Sequence, residues 1–357
     1  MLELVLVINL LLNNMIHFYS DTTVFVFAPA GIVTGGSELL HQFIDILNNS
    51  GKDAYVIYYG NVEHKIADDY KKYNIKQTET FIDEPHNIAV LFEGNFDRIR
   101  SINKSQILLW WLSVDLMYKS SVKFLSLPDL FNFSPKLAAK TIAWRLKTLL
   151  RCKENQFVNN ITIKELSRSN ATNAYQAVYI QNYLYRHNFD NIISLSDYIN
   201  TDFIDSRINH DKEDIILYNP RKGIEFTKKL IRASPDLKFV PIQNLTRQGV
   251  VDLMAKAKVY IDFGFHPGKD RLPREAALSG CVVITGKNGS AYYFEDVAIP
   301  SQYKYSTRAS NIPIISRRIR EVLINYTDAC NDMQYYINKI KSEREIFYRE
   351  IETIINL

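Results

Sequence analysis

The chain has 357 residues, 46% of them hydrophobic, and a formal net charge of +4 at pH 7. This length is too great for one core and sufficient for two α/β domains. Basic and acidic residues alternate along the chain, so the charge does not imply nucleic-acid binding. The mild positive charge does imply a modest preference for anionic ligands or an anionic membrane surface. The three cysteines lie far apart in the sequence, which argues against a disulfide framework or a structural zinc site and fits a reducing cytosol.

The first stretch, Leu2–Leu12, is apolar. It is too short to span a bilayer and lacks the basic start of a signal peptide, so we expect a buried strand, a peripheral helix or an upstream extension. An apolar start on a mildly basic chain permits peripheral docking to a membrane without establishing it.

From about Thr22 the pattern becomes an alternation of apolar strands and amphipathic helices. The stretch TVFVFAPAG predicts a strand that ends in a turn, Gly35–Asn48 has apolar residues at helical spacing, and Asp53–Tyr59 is the next strand. This βαβ unit requires a parallel sheet with a right-handed crossover. The other elements predicted in this half are strands at Asn87–Phe92, Gln106–Leu112 and Asn191–Tyr198, and helices at Leu137–Leu150 and Ala171–Tyr185.

A second α/β series follows the polar stretch Ile199–Lys212, which has no sustained period and is interpreted as a linker. The predicted bounds are 1–200 for the first domain, 201–212 for the linker, 213–330 for the second domain and 331–357 for a terminal helix. The elements predicted in the second domain are strands at Asp214–Tyr218, Leu237–Val240, Val259–Phe263 and Cys281–Thr285, and helices at Ile224–Ala233 and Arg247–Ala257. Ligands of such sheets bind beyond the carboxyl ends of the strands, so the turns there are the candidate sites.

The most informative turn lies within Tyr260–Gly286. This stretch runs from a buried strand, through a turn that contains Gly264, His266 and Gly268, into a helix that Pro273 would open. The first turn of a helix presents unpaired N–H groups and a positive dipole end. The order of elements therefore predicts an anion site, and phosphate is the obvious ligand.

Charged residues in the same turn indicate how the anion would be held. Lys269 and Arg271 would bind it, because a turn this charged between two buried strands is costly to build without a purpose, and Asp270 would orient the cations. Glu275 has two interpretations. At the third helical position it would cap the helix, or it would accept hydrogen bonds from ligand hydroxyls, as a ribose-binding carboxylate does in other doubly wound sheets.

Two earlier turns are also candidates. Gly31, Gly35 and Gly36 surround the end of the first clear strand, where they would let the backbone approach a ligand or would simply begin a helix. Arg221 and Lys222 begin a helix against its dipole. They are either a solvated pair of charges or the groups that bind a diphosphate.

The turn Lys287–Ala291 follows the strand CVVIT and contains Gly289 and Ser290. In a parallel sheet it would lie next to the turn with His266, so its N–H groups could also face phosphate. The alternative is an ordinary connection.

Other chemistries lack their sequence signatures. No serine stands in a GxSxG context, no HExxH motif or His/Cys cluster suggests a metal, and no GxGxxG or GxxxxGK[ST] motif would hold a dinucleotide or a triphosphate. The seven histidines are scattered. We therefore expect no cofactor and no metal.

Several of these segments resemble the GT-B glycosyltransferases, particularly the group-1 type that builds bacterial surface polysaccharides. Gly35–Glu38 is similar to the GG-x-E signature of the first domain, and Ile193–Phe203 resembles the strand and hinge at the end of that domain. Tyr218–Gly223 (YNPRKG) resembles the basic turn after the first strand of the second domain, and Pro273–Thr285 resembles the E-A-x-x-x-G-x-P-V-I segment. The resemblance extends from about Thr22 to Pro300 and is specific at the last motif.

The resemblance implies two Rossmann-like, doubly wound domains that face a cleft, with the nucleotide-sugar donor held mainly by the second domain, the acceptor by the first, and the terminal helix packed back on the first. It implies that Glu275 binds the ribose, that Arg221 or Lys222 binds the diphosphate, and that Gly35–Gly36 closes on the donor phosphates. Retaining members have another Glu eight positions before the ribose Glu. Here that position is Pro267, so the sugar and the stereochemical outcome stay open.

The resulting hypothesis is a cytoplasmic glycosyltransferase of the hexosyltransferase type, with peripheral contact to the inner face of the membrane permitted. It would move a sugar from a nucleoside diphosphate sugar to a glycan or lipid-linked acceptor in surface polysaccharide biosynthesis. An inverting reaction would need a base from the first domain, for which Glu38, His41, Glu93 and Asp115 are the candidates. The alternatives are another GT-B enzyme, such as a sugar-nucleotide epimerase or phosphorylase, and a non-catalytic nucleotide- or glycan-binding module. The predicted donor-binding residues are Gly35, Gly36, Arg221, Lys222, His266, Gly268, Lys269, Arg271, Glu275, Gly289 and Ser290.

Overall fold

The computed structural model describes residues 15–114, 117, 142–143, 161–199 and 212–356. The predicted helix Leu137–Leu150 lies outside these residues apart from 142–143, as do the apolar start Leu2–Leu12, Asp115 and the linker apart from Lys212. The chain divides into two compact units, of which the first is Met1–Gln176, Ile180–Leu195 and Tyr348–Leu357, and the second is Ala177–Tyr179 and Ser196–Phe347. The predicted domain bounds and the packing of the terminal helix stay predictions.

The first unit contains, among its described residues, a seven-stranded sheet in the order β3-β2-β1-β4-β5-β6-β7. Its strands are β1 Thr23–Pro29, β2 Asp53–Tyr59, β3 Lys76–Gln77, β4 Ile88–Phe92, β5 Gln106–Trp111, β6 Thr172–Tyr175 and β7 Ile192–Ser194. Every pairing in this sheet is parallel. The strand order reverses between β1 and β4, as in a doubly wound sheet.

The described helices that lie between these strands in the sequence are α1 Gly35–Asn49, α2 Ile163–Ser167 and α3 Val178–Arg186. Thr34 caps α1, because its side chain accepts a hydrogen bond from the backbone N–H of Ser37 at 3.3 Å. The helix ends at Asn49, just before Gly51 with a φ of +75°. The predicted βαβ unit is therefore present.

The second unit contains, among its described residues, a five-stranded parallel sheet in the order β12-β11-β10-β8-β9. Its strands are β8 Glu213–Tyr218, β9 Lys238–Pro241, β10 Ala257–Asp262, β11 Val282–Gly286 and β12 Lys304–Tyr305. The helices that follow α3 along the chain are α4 Ile224–Arg232, α5 Arg247–Lys256, α6 Arg271–Leu278, α7 Ile312–Ile324, α8 Tyr326–Asn331 and α9 Gln334–Ile355. β10 and β11 are buried along almost their whole length, which explains their continuous apolar sequences.

The predicted α/β class with parallel sheets is confirmed, and two element predictions are wrong in part. Thr172–Tyr175 is strand β6 instead of the start of a helix, because it pairs with β5 and β7. The side chain of Asn173 also donates to the carbonyl of Asp190 at 3.0 Å and accepts from the indole N–H of Trp111 at 3.1 Å. These partners are distant in sequence, so local periodicity could not indicate them.

The second correction concerns α6, which begins at Arg271 and not at Pro273. Pro273 is then the third helical residue, a position at which the backbone N–H would have no partner within the helix. Among the described residues, no helix combines the length and the apolar character needed to cross a membrane.

Candidate functional site

In the second unit, the turns after β8 and β10 are in direct backbone contact. Gly223 has a φ of +59°, and a Cβ there would lie 2.5 Å from the carbonyl carbon of Phe263. A Cβ on Gly264 would lie 2.4 Å from the Cβ of Lys222. No side chain fits at either position, so the two glycines allow the stem of Lys222 to lie directly against the second turn.

The turn after β11 joins the same group. Gly289 has a φ of +63°, and a Cβ there would lie 2.0 Å from the carbonyl oxygen of His266. Ser290 donates its backbone N–H to that oxygen at 2.9 Å and its hydroxyl to the carbonyl of Gly268 at 2.6 Å. The two turns are therefore adjacent, and the buried hydroxyl of Ser290 joins them.

Lys222 faces the beginning of α6. Its Nζ lies 2.7 Å from Oδ1 and 2.6 Å from Oδ2 of Asp270, and 32% of its side chain is exposed. Asp270 is the N-cap residue of α6, but its side chain accepts no capping hydrogen bond from the described helix. Asp270 thus holds Lys222 instead of occupying the N–H groups at the positive end of the helix dipole.

His266 is buried behind this pair, between two carboxylates. Its Nδ1 lies 3.0 Å from Oδ2 of Asp270, and its Nε2 lies 3.7 Å from Oδ1 of Asp262. Nδ1 is within hydrogen-bonding distance of Asp270, whereas Nε2 is beyond that distance from Asp262 and interacts with it through charge. Burial alone would lower the pKa of His266, but the two carboxylates outweigh it and raise the pKa above its ordinary value.

Asp262, His266 and Asp270 are close enough to be considered as metal ligands, since their ligand atoms lie within 4.8 Å of one another. The donor set does not suit a metal, because the two carboxylates face different ring nitrogens. Asp262 also accepts hydrogen bonds from the N–H of Gly264 at 2.8 Å and the hydroxyl of Tyr260 at 3.1 Å. The arrangement fits a bound proton, and we assign no metal to it.

Lys269, predicted to bind the anion, lies in a second buried network. Its side chain is 8% exposed, and its Nζ lies 2.7 Å from Oγ of Ser196, 3.0 Å from a Glu343 oxygen and 3.4 Å from an Asp197 oxygen. Arg274, which the sequence prediction missed, donates to Asp197 at 2.9 and 2.6 Å and to Glu343 at 2.7 Å. Burial would raise the pKa of Asp197, but Arg274 and Lys269 hold it well below its ordinary value.

The remaining predicted donor residues are close to the same turns in sequence. Glu275 is buried and is the fifth residue of α6, so the interpretation of this residue as a helix cap is wrong. Arg271 is the first residue of α6. Arg221 is exposed, and its backbone N–H donates to the side-chain oxygen of Asn219 at 3.0 Å. Ligand binding by these residues stays a prediction.

In the first unit, Gly35 and Gly36 are the first residues of α1, and two candidate bases follow them on this helix. Glu38 is buried and accepts a hydrogen bond from the hydroxyl of Tyr73 at 2.9 Å. Its carboxylate also lies 3.4 Å from the Nζ of Lys72. Glu38 is therefore already engaged by a hydroxyl and a cation.

His41 is fully buried and has a partner at each ring nitrogen. Nδ1 lies 2.6 Å from the carbonyl oxygen of Ser37, Nε2 lies 2.7 Å from the hydroxyl of Tyr58, and the ring stacks on Tyr70. Burial lowers the pKa of His41 to about 4. This environment fits a neutral packing residue.

Glu93 follows β4 and is completely buried. Burial raises the pKa of its carboxyl to about 8, although the backbone N–H of Ser113 donates to it. Asp115, the last candidate base, lies outside the described residues, and the catalytic roles of all four residues stay predictions.

The fold can be compared with known proteins. No family model and no curated protein sequence matches the chain. A glycosyltransferase from Rickettsia africae matches with a TM-score of 0.53 and 14% identity over 93% of this chain and 99% of that one. Sucrose-phosphate synthase from Thermosynechococcus elongatus matches with a TM-score of 0.59 and 12% identity over 93% and 100%. HepE from Anabaena in complex with UDP and glucose matches with a TM-score of 0.58 and 12% identity over 94% and 100%.

Identities this low show the fold, and the fold that they show is that of the GT-B glycosyltransferases. The resemblance predicted from the sequence is therefore confirmed at the level of fold. Substrate and reaction require a separate argument from the site.

Proposed function

We propose that this protein is a glycosyltransferase that uses a nucleoside diphosphate sugar as donor. The observation that carries the proposal is the group of three turns after β8, β10 and β11, packed so closely that only glycine fits at their contacts. These turns place the ammonium group of Lys222 beside the beginning of α6. A diphosphate suits such a place, because it combines a cation with the N–H groups of a helix N-terminus. HepE, which has the same fold, has been seen with UDP-glucose and with UDP, which supports a nucleotide sugar as ligand.

In this proposal the second unit stabilises the leaving group. When the bond to the anomeric carbon breaks, negative charge develops on the departing diphosphate. Lys222, Arg221 and Arg271 would neutralise that charge, and the first N–H groups of α6 would donate hydrogen bonds to it. Glu275 would accept hydrogen bonds from the ribose hydroxyls. The residues can supply this stabilisation without a metal ion.

The acceptor is proposed to be a glycan or a lipid-linked sugar in surface polysaccharide biosynthesis, and the sugar a hexose. We favour retention of anomeric configuration, because Glu38, His41 and Glu93 are buried and engaged, and a retaining reaction needs no such base. Nuclear magnetic resonance of the first-formed product would identify the anomer. An inverted product would contradict retention and direct attention to Asp115.

The proposal is tested by thermal shift with UDP, GDP, dTDP, ADP, CDP and CMP on the wild type, Lys222→Ala and the control Lys228→Ala. Lys228 is an exposed lysine on α4. A ligand at a hundred times its Kd stabilises the folded state by about 2.7 kcal/mol, so one diphosphate should raise the Tm of the wild type and of the control. Lys222→Ala should lose this response. If no nucleotide stabilises the wild type, or if Lys222→Ala responds like it, the proposed function is wrong.

Turnover is then followed with the nucleotide sugar that binds. A transferase releases nucleoside diphosphate rapidly only when an acceptor is supplied. Conversion of the donor alone into an isomer would indicate an epimerase, and binding without consumption under any acceptor would indicate a binding module.

A further inference from the structure

The proposed donor site uses Lys222 but leaves unexplained the buried histidine behind it. His266 contacts no solvent, and the carboxylates of Asp262 and Asp270 approach its two nitrogens from different sides. A purely structural position of this kind is usually filled by an apolar side chain, since burying charged groups is expensive unless they compensate one another. We therefore expect the cluster of Asp262, His266 and Asp270 to have a role that depends on its charge.

The charge balance of the cluster depends on the protonation state of His266. Asp262 and Asp270 contribute two negative charges and Lys222 contributes one positive charge. With a neutral imidazole the net charge is −1, and with an imidazolium it is zero. Because a net buried charge is unfavourable, the fold favours the protonated ring.

The groups that face His266 come from each neighbouring element of the second unit. β10 provides Asp262, whose other oxygen binds the hydroxyl of Tyr260. The N-cap of α6 provides Asp270, and the turn after β8 provides Lys222. The turn after β11 contacts the backbone of His266 through the N–H of Ser290, which donates to its carbonyl oxygen at 2.9 Å.

We propose that His266 is a positioning residue for Lys222, and that it acts through Asp270 in its imidazolium form. The inference rests on the proposed function, because it takes the ligand of Lys222 to be a diphosphate. The imidazolium of His266 partly neutralises the carboxylate of Asp270. The positive charge of Lys222 is then less compensated by Asp270 and attracts a phosphate more strongly. After His266 loses its proton, Asp270 is balanced by Lys222 alone, and the net negative charge repels the ligand.

The experiment measures the Kd of UDP-glucose by calorimetry on the full chain from about pH 5.5 to about pH 8.5. Histidine titrates in this range, whereas the phosphates of an intact nucleotide sugar do not. We expect affinity to fall by at least about tenfold across the range, because one unit charge at roughly 10 Å acts on a doubly charged diphosphate in an effective dielectric of about 20. Around the midpoint, binding should also take up protons from the buffer.

Two variants separate this role from packing. His266→Gln cannot titrate in this range, so its affinity should not change with pH. Asp262→Asn keeps the shape of the side chain that faces Nε2 and removes its charge, so the midpoint of the pH profile should move to lower pH. The control Lys228→Ala should keep the wild-type profile. Unfolding temperatures without ligand establish which variants are folded at each pH.

The outcomes are distinct for the two proposals. A flat wild-type profile, or an unchanged midpoint in folded Asp262→Asn, overturns the role of His266 and leaves the donor site standing. If the folded wild type binds neither UDP-glucose nor any nucleotide of the thermal-shift series, the proposed function fails and the inference fails with it.

Discussion

The buried network around Arg274 gives a stability prediction whose size follows from its geometry. The guanidinium of Arg274 is 1% exposed and binds the carboxylates of Asp197 and Glu343. Arg274→Met keeps much of the side-chain volume and removes the guanidinium, while Lys269 still contacts the two carboxylates. Breaking a buried ion pair in this way costs about 3–5 kcal/mol. For a unit of this size we expect the Tm to fall by roughly 10 °C.

The matched control is Arg320→Met in the same unit. Arg320 also binds a carboxylate with two nitrogens, at 2.9 and 2.7 Å from the oxygens of Asp236, but its side chain is 41% exposed and that of its partner 55%. Exposed pairs contribute less than about 1 kcal/mol. Chemical denaturation followed by circular dichroism compares the two variants. If Arg274→Met loses no more stability than Arg320→Met, the network does not stabilise the unit as argued.

Three further predictions concern single residues. Gly223 has a positive φ, and a Cβ there would lie 2.5 Å from the backbone of Phe263, so Gly223→Ala should abolish nucleotide binding and lower the free energy of unfolding. Gly51 also has a positive φ but has open space around a new Cβ, so Gly51→Ala should cost less, about 1 kcal/mol. Because the pKa of His41 is lowered in the folded state, the unfolded chain binds more protons than the folded chain between about pH 6.5 and pH 4. The free energy of unfolding should therefore fall by about 3 kcal/mol as the pH falls through that window. Denaturation of His41→Gln should depend less on pH. Lys269→Ala should lower the unfolding temperature of the unliganded chain yet keep the thermal-shift response to nucleotide that Lys222→Ala loses.

The sequence predicted the elements whose determinants are local. β2 was predicted at its observed bounds, because its short run of apolar and aromatic residues after Gly51 is sufficient. β6 was not predicted, because the Asn173 contacts that favour a strand come from Trp111 and Asp190. α6 was predicted with a late start, because proline is common at the first helical position but is tolerated anywhere in the first turn.

The candidate site shows the same division between local and distant information. A charged turn after a strand could be found by inspection, and its place beside the turn Lys287–Ala291 followed from the parallel sheet. The partners of Arg274 could not be found in this way, because Asp197 lies 77 residues before it and Glu343 lies 69 residues after it. Asp197 was within a segment assigned to a hinge, so its charge gave no sign of a structural role.

Burial decides between the two lysines that the sequence placed in the donor site. A phosphate that approached Lys269 would have to displace or repel two carboxylates that already hold an ammonium group only 8% exposed. Lys222 is 32% exposed, and the charge of its carboxylate partner Asp270 is shared with His266. Both lysines lie in turns that follow strands of the same sheet, so sequence position alone does not decide between them. Their electrostatic environments differ, so we propose Lys222 and not Lys269 as the lysine that binds the ligand.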